Sequence, residues 1–184
     1  MRPHPQTLPE GGAVPSYYLA PISTYSRLAQ AGEQVMDGDD IYRKQTLRNR
    51  CWIASPNGPL ALTIPVVKFV PYRTLMRDIR ISDHGNWRHL HWNALQSSYG
   101  KSPFFEYYAD DFAPFYQQKW EFLLDYNQAL QDTVCRLIDI RQAPAARHRD
   151  MPYYQLFSDR CGFMADLSIV DLLFNMGPES IFYL

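Results

Sequence analysis

The sequence predicts an α/β or α+β protein in which a small mixed β-sheet with a central hairpin is covered by several amphipathic helices. In the first half of the chain, short runs of β-forming residues are separated by turn signals, one of them an Asn-Gly pair. In the second half, apolar residues recur every three or four positions over long segments. A chain of 184 residues can bury one substantial core. We therefore predict a flexible arm over residues 1–15 and a single domain over residues 16–184.

The predicted domain begins with a strand-helix-strand unit. The aromatic and apolar run from Ser16 to Ala20 is typical of a strand, and it stops at a proline. Ser23 is a suitable N-cap for a helix that Gly32 ends, and Glu33 to Met36 forms a second predicted strand. A helix that follows a strand often presents its N-terminus to an anion.

A β-hairpin is predicted over residues 42–66. The Asn57-Gly58 pair indicates a tight primed turn, because both residue types tolerate positive φ. Side chains alternate across a strand, so its two faces differ in chemistry. One face carries Lys44, Thr46, Arg48, Arg50 and Trp52, and the other carries Gln45, Leu47, Asn49, Cys51 and Ile53. The second face can enter the core, whereas the first needs anionic partners, because unpaired charges are costly to bury.

The second half of the chain is predicted to be mainly helical. Met76 to Ile81 alternates as a further strand, with Ile79 and Ile81 pointing inward. Four helices are predicted over Trp87 to Tyr99, Phe104 to Gln117, Lys119 to Ile140 and Ser168 to Met176. In the first of these, His91 lies along the apolar stripe, where a core histidine and a site residue are both consistent with the pattern.

Composition argues against several classes of protein. A net charge of −1 disfavours nucleic-acid binding, and no apolar run reaches the eighteen or so residues of a membrane-spanning helix. The first fourteen residues lack the apolar segment of a secretory signal, so we expect a cytoplasmic protein. The three cysteines have no metal-ligand spacing, so we expect no metal site, and the sequence identifies neither a cofactor nor an oligomeric state.

Several segments in a defined order carry a family resemblance. They are KQTLRNRCWI, an Asn-Gly turn, LTIPV, DIRIS, a tryptophan-led helix, YGKSPFF and LSIVDLLFNMGPESIFYL. From about Tyr18 to the C-terminus the chain resembles the WbqC-like protein family, in the form associated with Bacteroidetes. Arg48, Asn49 and Arg50 correspond to the family's basic-amide signature. Thr63-Ile64-Pro65 corresponds to its TIP strand, and Tyr99, Pro103 and Phe104 correspond to its aromatic helix turn.

The resemblance departs near the start of the chain, where Ala20-Pro21 stands in place of the family's Gln-Pro. It implies a context of O-antigen and surface-polysaccharide assembly. It also implies transfer of glycine or an aminoacyl group to a sugar.

The basic strand supports an enzyme hypothesis. Alternate strand residues lie about 7 Å apart, so Arg48 and Arg50 together can hold a diphosphate through their planar guanidinium groups. We therefore predict a transferase for an anionic small molecule, either an activated sugar or an acyl donor. Asp40 or His91 is the candidate general base, and Asn49 orients the substrate. Lys44, Gln45, Arg48, Arg50, Trp52 and Tyr99 complete the predicted binding set, with Trp52 or Tyr99 stacking on a ring.

A noncatalytic binding or scaffold protein is the alternative. In that hypothesis the cations of the basic strand pair with the acidic turn Asp37-Gly38-Asp39-Asp40 and form a structural network. Whether Arg48 and Arg50 point into a pocket or into carboxylates distinguishes the two hypotheses.

Overall fold

A parallel strand-helix-strand unit begins the described chain. The computed structural model describes residues 13–31, 35–142 and 151–184. Strands β1 (Ala13–Pro15) and β2 (Val35–Asp37) pair in parallel, and helix α1 (Ile22–Ala31) connects them. Residues 1–12 of the predicted arm lie outside the described residues, as do Gly32 and Glu33, whereas residues 13–15 form β1.

The predicted strand from Ser16 to Ala20 is wrong. This segment turns between β1 and α1, and Leu19 adopts a positive φ of 41°. Its aromatic and apolar side chains are nevertheless buried, which explains why the segment resembles a strand in sequence. Ser23 does not cap α1, because the helix begins one residue earlier. Instead, Asp166 accepts hydrogen bonds from the Ser23 N–H at 2.9 Å and from the Ser23 hydroxyl at 3.0 Å.

The hairpin is present but shorter than predicted. Strands β3 (Arg50–Ile53) and β4 (Leu60–Thr63) are antiparallel. Residues 43–49 form turns and irregular backbone, so strand alternation holds only from Arg50 onward. Cys51 and Ile53 are buried as predicted.

The connection between β3 and β4 is not a primed turn. Ser55 and Gly58 exchange backbone hydrogen bonds of 3.1 and 3.0 Å. Gly58 has a φ of 99°, whereas Asn57 is not among the described residues with positive φ. Pro56 at the second position and glycine at the fourth favour a type I turn, in which asparagine keeps negative φ.

The helices follow the predicted pattern with adjusted ends. They are α2 (Trp87–Tyr99), α3 (Phe105–Gln117), α4 (Leu123–Ile138), the short α5 (Ser158–Cys161) and α6 (Ile169–Met176). The predicted strand over residues 76–81 is wrong, because Met76–Asp78 forms a 3₁₀ turn, although Ile79 and Ile81 are buried as expected.

Helix α6 is the most buried element. Residues 169–175 are all buried, and α6 contacts α1, α2 and α3. A helix that is apolar on every side packs inside a protein rather than on its surface.

The described residues combine helices with short strands, so the predicted α/β class is confirmed. Among the described residues, the strands form two separate two-stranded sheets instead of one mixed sheet.

Candidate functional site

The centre of the candidate site is an ion pair between Arg48 and Asp40. Arg48 is only 3% exposed, and its Nε donates a hydrogen bond of 2.9 Å to Asp40 Oδ2. Its Nη2 donates to the same oxygen. The Asp40 side chain is 22% exposed. A nearly buried guanidinium thus holds a carboxylate that remains accessible to solvent.

The backbone fixes this carboxylate in place. Asp40 follows β2, and its carbonyl accepts a hydrogen bond of 2.8 Å from the N–H of Met76, at the start of the 3₁₀ turn. Both guanidinium nitrogens use Oδ2, and no residue in the described part of the chain donates a hydrogen bond to Oδ1. Because Oδ1 keeps its lone pairs, Asp40 can accept a hydrogen bond or a proton from a bound molecule.

Two tyrosines lie within electrostatic reach of the ion pair. Burial raises the pKa of Tyr42 to about 12, and Arg48 and Arg50 oppose that rise. Burial also raises the pKa of Tyr17, with Arg48 lowering it and Asp40 raising it. The Tyr42 hydroxyl is buried and has no hydrogen-bond partner among the residues that the structure describes. We call Tyr17, Asp40, Tyr42 and Arg48 the Arg48 site.

The remaining predicted strand residues have different surroundings. Asn49 is buried and its Nδ2 donates to the Ile64 carbonyl at 2.9 Å, so this amide closes the end of the hairpin. Arg50 is half-buried, and its Nε donates to Thr63 Oγ1 at 2.8 Å. Lys44 and Gln45 are exposed in a turn, while Trp52 is half-buried on β3. The predicted roles of these residues stay predictions.

His91 lies in an aromatic cluster in the core. It is 5% exposed, and its Nδ1 is 3.0 Å from the Tyr18 hydroxyl, which is itself 3.0 Å from the Tyr116 hydroxyl. Burial lowers the pKa of His91 to about 4, and a hydrogen bond to the Thr63 carbonyl opposes this shift. His91 is therefore neutral at pH 7 and belongs to a different cluster from Asp40.

Tyr99 belongs to a third cluster, centred on Asp171. Its hydroxyl donates to Asp171 Oδ1 at 2.8 Å and accepts from the Ala54 N–H at 3.0 Å. Tyr153 and Gln155 also donate to this buried carboxylate, at 2.5 and 2.8 Å. Burial raises the pKa of Asp171, and these three hydrogen bonds oppose that rise. The ring of Tyr99 packs against Phe174 in the core, with centroids 5.3 Å apart.

Sequence reasoning missed Tyr17, Tyr42 and Asp171. The only local signal for Asp171 is a carboxylate inside an apolar helical run, since buried charges are rare without partners. In the described part of the chain, no three His, Cys, Asp or Glu side chains come together in a way that suits a metal ion. None of its helices combines the length and apolar character required to cross a membrane.

Fold and site together define a mixed α/β protein with an arginine-held carboxylate at the entrance to its hairpin. The chain belongs to the WbqC-like protein family, whose model matches residues 16–155, a range that includes the whole Arg48 site.

One relative of the chain is a Mycobacterium tuberculosis protein described as Uncharacterized protein Rv1507c. It is 24% identical over an alignment that is 221 positions long and that covers 93% of this chain and 95% of that protein. No solved structure matches the chain significantly.

Proposed function

We propose that this protein is a transferase that acts on an anionic, activated substrate at the Arg48 site. The observation that carries this proposal is the Asp40 carboxylate. Arg48 holds it through Oδ2, no described residue donates to Oδ1, and the side chain remains partly exposed. A positioned carboxylate with one unoccupied oxygen is suited to general-base catalysis. Because the family is associated with surface-polysaccharide assembly, the reaction that we propose is transfer of glycine or an aminoacyl group to a sugar.

In this mechanism Asp40 accepts the proton of the attacking group. A sugar hydroxyl or amine attacks the activated acyl carbon, its proton passes to Asp40 Oδ1, and the leaving group departs with the electron pair of the broken bond. Arg48 acts as a positioning residue, because its Nε and Nη2 are already bonded to Asp40. This assignment differs from the sequence-based role of Arg48 as a direct ligand for the substrate.

Anion binding then rests on the remaining cations of the basic segment. Among the residues that the structure describes, Arg50 uses only its Nε, which donates to Thr63, and Lys44 is exposed in the preceding turn. Guanidinium and ammonium groups bind phosphate and carboxylate through charge-assisted hydrogen bonds. A cytoplasmic location follows from the proposed substrates, because activated sugars and acyl phosphates are cytoplasmic metabolites.

A ligand screen by thermal shift tests the proposal. Nucleotide-sugars, aminoacyl donors and acyl phosphates are added to the native protein, to Asp40→Asn and to Arg50→Ala. We expect at least one class to raise the Tm of the native protein, since a ligand that binds only the folded state stabilises it. Arg50→Ala is expected to lose this rise. In an assay of the reaction with the ligand class that binds, Asp40→Asn is expected to lose turnover. A screen in which no class shifts the native protein would contradict the proposal.

A noncatalytic scaffold is the second candidate, and one observation favours it. Arg48 points into a carboxylate of its own chain, as a structural ion pair does. Asp39, in the same acidic turn, forms a second, exposed ion pair with Arg77. In this candidate the ion pair only holds the turn against the hairpin, so replacing both partners with apolar residues leaves every binding property unchanged.

A further inference from the structure

The chain concentrates positive charge in one stretch of its sequence. Residues 41–75 contain six Lys or Arg residues and no Asp or Glu, which leaves twelve Lys or Arg and nineteen Asp or Glu for the rest of the chain. A net charge of −1 therefore hides a strongly basic stretch within an otherwise acidic protein. Arg48 is buried and Arg50 is half-buried, so the charge that faces solvent comes from Arg43, Lys44, Lys68 and Arg73.

These exposed cations are not neutralised by the acidic turn beside them. Asp40 pairs with Arg48, and Asp39 pairs with Arg77. No carboxylate in the described part of the chain forms an ion pair with any of the four exposed cations. Unpaired surface charges of one sign create a local potential that attracts an anionic partner.

Two of these cations belong to a short loop with a fixed conformation. At its tip, the Thr74 N–H donates to the Val70 carbonyl at 3.2 Å, and the Val70 N–H donates to Thr74 Oγ1 at 3.0 Å. At its base, the Tyr42 N–H donates to the Thr74 carbonyl at 2.9 Å. The ring of Tyr42 also meets Phe69 edge-on, with centroids 4.8 Å apart. We call residues 67–74 the Tyr72 loop.

The tip of the Tyr72 loop is apolar and faces solvent. Tyr72 is 81% exposed, Val70 is 57% exposed and Val67 is 47% exposed. Tyr72 also has a φ of 61°, which is uncommon for a bulky aromatic residue. Within the described chain its side chain makes no hydrogen bond or ring contact that would hold it in this conformation. Backbone in such a conformation is often found where a protein binds another molecule.

Cations surround this apolar tip. Lys68 follows Val67, and Arg73 follows Tyr72. Arg43 comes directly after Tyr42, whose backbone pairs with Thr74 at the base of the loop. An aromatic ring with a polar end is well placed at the boundary between lipid chains and headgroups, and long basic side chains reach the lipid phosphates.

Other kinds of partner fit this surface less well. A stable protein interface buries about 800 Å² on each side, whereas the apolar part of the Tyr72 loop is a narrow tip of a few side chains. Nucleic acids are bound through phosphate contacts and stacking on aromatic rings, which gives the exposed valines no role. A lipid bilayer accommodates both valines and the tyrosine.

We propose that the Tyr72 loop is a membrane-contact site, which binds the surface of a bilayer that contains anionic lipids. Val70 and Tyr72 enter the headgroup region, and Arg43, Lys68 and Arg73 bind lipid phosphates. The contact is peripheral and reversible. It does not require the proposed transferase activity.

Co-sedimentation of the protein with lipid vesicles tests the proposal. One set of vesicles contains phosphatidylcholine and phosphatidylglycerol in equal amounts, and the other contains phosphatidylcholine alone. We expect the native protein to bind the first set clearly more tightly than the second. High salt is expected to weaken this binding, because dissolved ions screen exposed charges.

A pair of charge variants shows whether the cations of the loop are responsible. Lys68→Gln/Arg73→Gln removes two cations that each strengthen binding about fivefold, so the partition constant is expected to fall about twentyfold or more. Lys101→Gln/Arg160→Gln is the matched control, since it removes one exposed lysine and one exposed arginine from other parts of the surface. The control is expected to bind as the native protein does.

A pair of tyrosine variants tests the apolar tip. Tyr72→Asn removes the ring but keeps a residue type that tolerates positive φ, so the loop is expected to keep its shape and to bind severalfold more weakly. Tyr154→Asn removes another exposed tyrosine, which lies outside the helices and strands, and is expected to change nothing. Because all the replaced side chains are exposed, each variant is expected to keep the native Tm.

Three results would overturn the proposal. The first is that the native protein does not bind the anionic vesicles at low salt. The second is that Lys68→Gln/Arg73→Gln or Tyr72→Asn binds as tightly as its control. The third is that the native protein binds an oligonucleotide or a second copy of itself through the Tyr72 loop more tightly than it binds vesicles.

Discussion

Arg48 directs two nitrogens of its guanidinium, Nε and Nη2, to a single oxygen of Asp40. The geometry leaves the second carboxylate oxygen for another partner, and it couples the acidic turn after β2 to the entrance of the hairpin. Any function at this place depends on whether that second oxygen meets a ligand.

Removing one partner of this pair is expected to destabilise the protein, and the two partners are not equivalent. Arg48→Met leaves the Asp40 carboxylate, at the edge of the core, without its cation. Removing Asp40 would instead leave the more deeply buried Arg48 guanidinium without its anion. Breaking a fully buried pair costs about 3–5 kcal/mol. Because Asp40 is 22% exposed, we expect a smaller loss for Arg48→Met, about 2 kcal/mol in the free energy of unfolding measured with urea. An unchanged urea midpoint would show that the pair contributes nothing to stability.

The shifted pKa of His91 predicts a pH-dependent stability. The imidazole is neutral in the folded state, where its pKa is about 4, and it has its ordinary pKa of 6.5 in the unfolded state. The unfolded state therefore binds a proton first as the pH falls. The neutral His91 imidazole therefore contributes to the free energy of unfolding in full above pH 6.5, and this contribution is lost as the pH falls from 6.5 to about 4.

Urea titrations at pH 7.5 and 4.5 measure this loss. The native protein is expected to lose about 2–3 kcal/mol more than His91→Gln over this interval, because only the native protein has an imidazole to protonate. Equal losses in the two proteins would contradict a buried, neutral His91.

The hydroxyl of Tyr99 is predicted to contribute to stability through two partners. Tyr99→Phe removes a donor to the buried Asp171 and an acceptor for the Ala54 N–H. Leaving buried polar groups unpaired costs about 1–3 kcal/mol each, so we expect a loss of at least about 2 kcal/mol in the free energy of unfolding. Tyr108→Phe is a matched control, since the Tyr108 hydroxyl makes no hydrogen bond within the described part of the chain. A loss no larger than that of the control would contradict the account of the Asp171 cluster.

The hairpin turn gives a prediction that separates two turn types. Gly58 has a φ of 99°, so Gly58→Ala is expected to cost about 1 kcal/mol or more in unfolding free energy. Asn57 does not need a positive φ, so Asn57→Ala is expected to cost little. Equal and large losses for both variants would instead indicate the primed turn that the Asn-Gly pair suggests.

Local sequence patterns predicted the elements whose stability is local. The helix from Trp87 to Tyr99 has the expected bounds, because its apolar stripe and its terminal glycine act over a few residues. The segment from residue 43 to 49 was predicted as strand, yet it turns so that Arg48 reaches Asp40. No pattern within one strand reveals such a partner, since the ion pair depends on how β2 meets the hairpin.

For the same reason, sequence patterns indicate charged residues of the candidate site but not the partners of these residues. The charges of Asp40 and Arg48 indicate both residues in the sequence, but the pairing of Arg48 with one oxygen of Asp40 is visible only in three dimensions. His91 was recognised as a residue of an apolar stripe, while its partner Tyr18 lies 73 positions away in the chain. Tyr99 looked like a stacking residue, and its partner Asp171 comes from a helix at the other end of the chain.

One measurement tests the central claim, that Asp40 is a ligand-facing group held by Arg48. The double variant Asp40→Leu/Arg48→Met replaces the ion pair with apolar side chains, which is often nearly neutral for stability. It is compared with the native protein, and Tm is recorded with nucleotide-sugars, aminoacyl donors and acyl phosphates. We predict that the protein with the native pair gains Tm with one of these classes. The double variant is predicted to keep a similar Tm without ligand and to gain clearly less with it, because the hydrogen bond of the ligand to Asp40 Oδ1 is lost while Arg50 and Lys44 remain. Equal gains in the two proteins, or no gain in either, would contradict the claim and favour a structural ion pair.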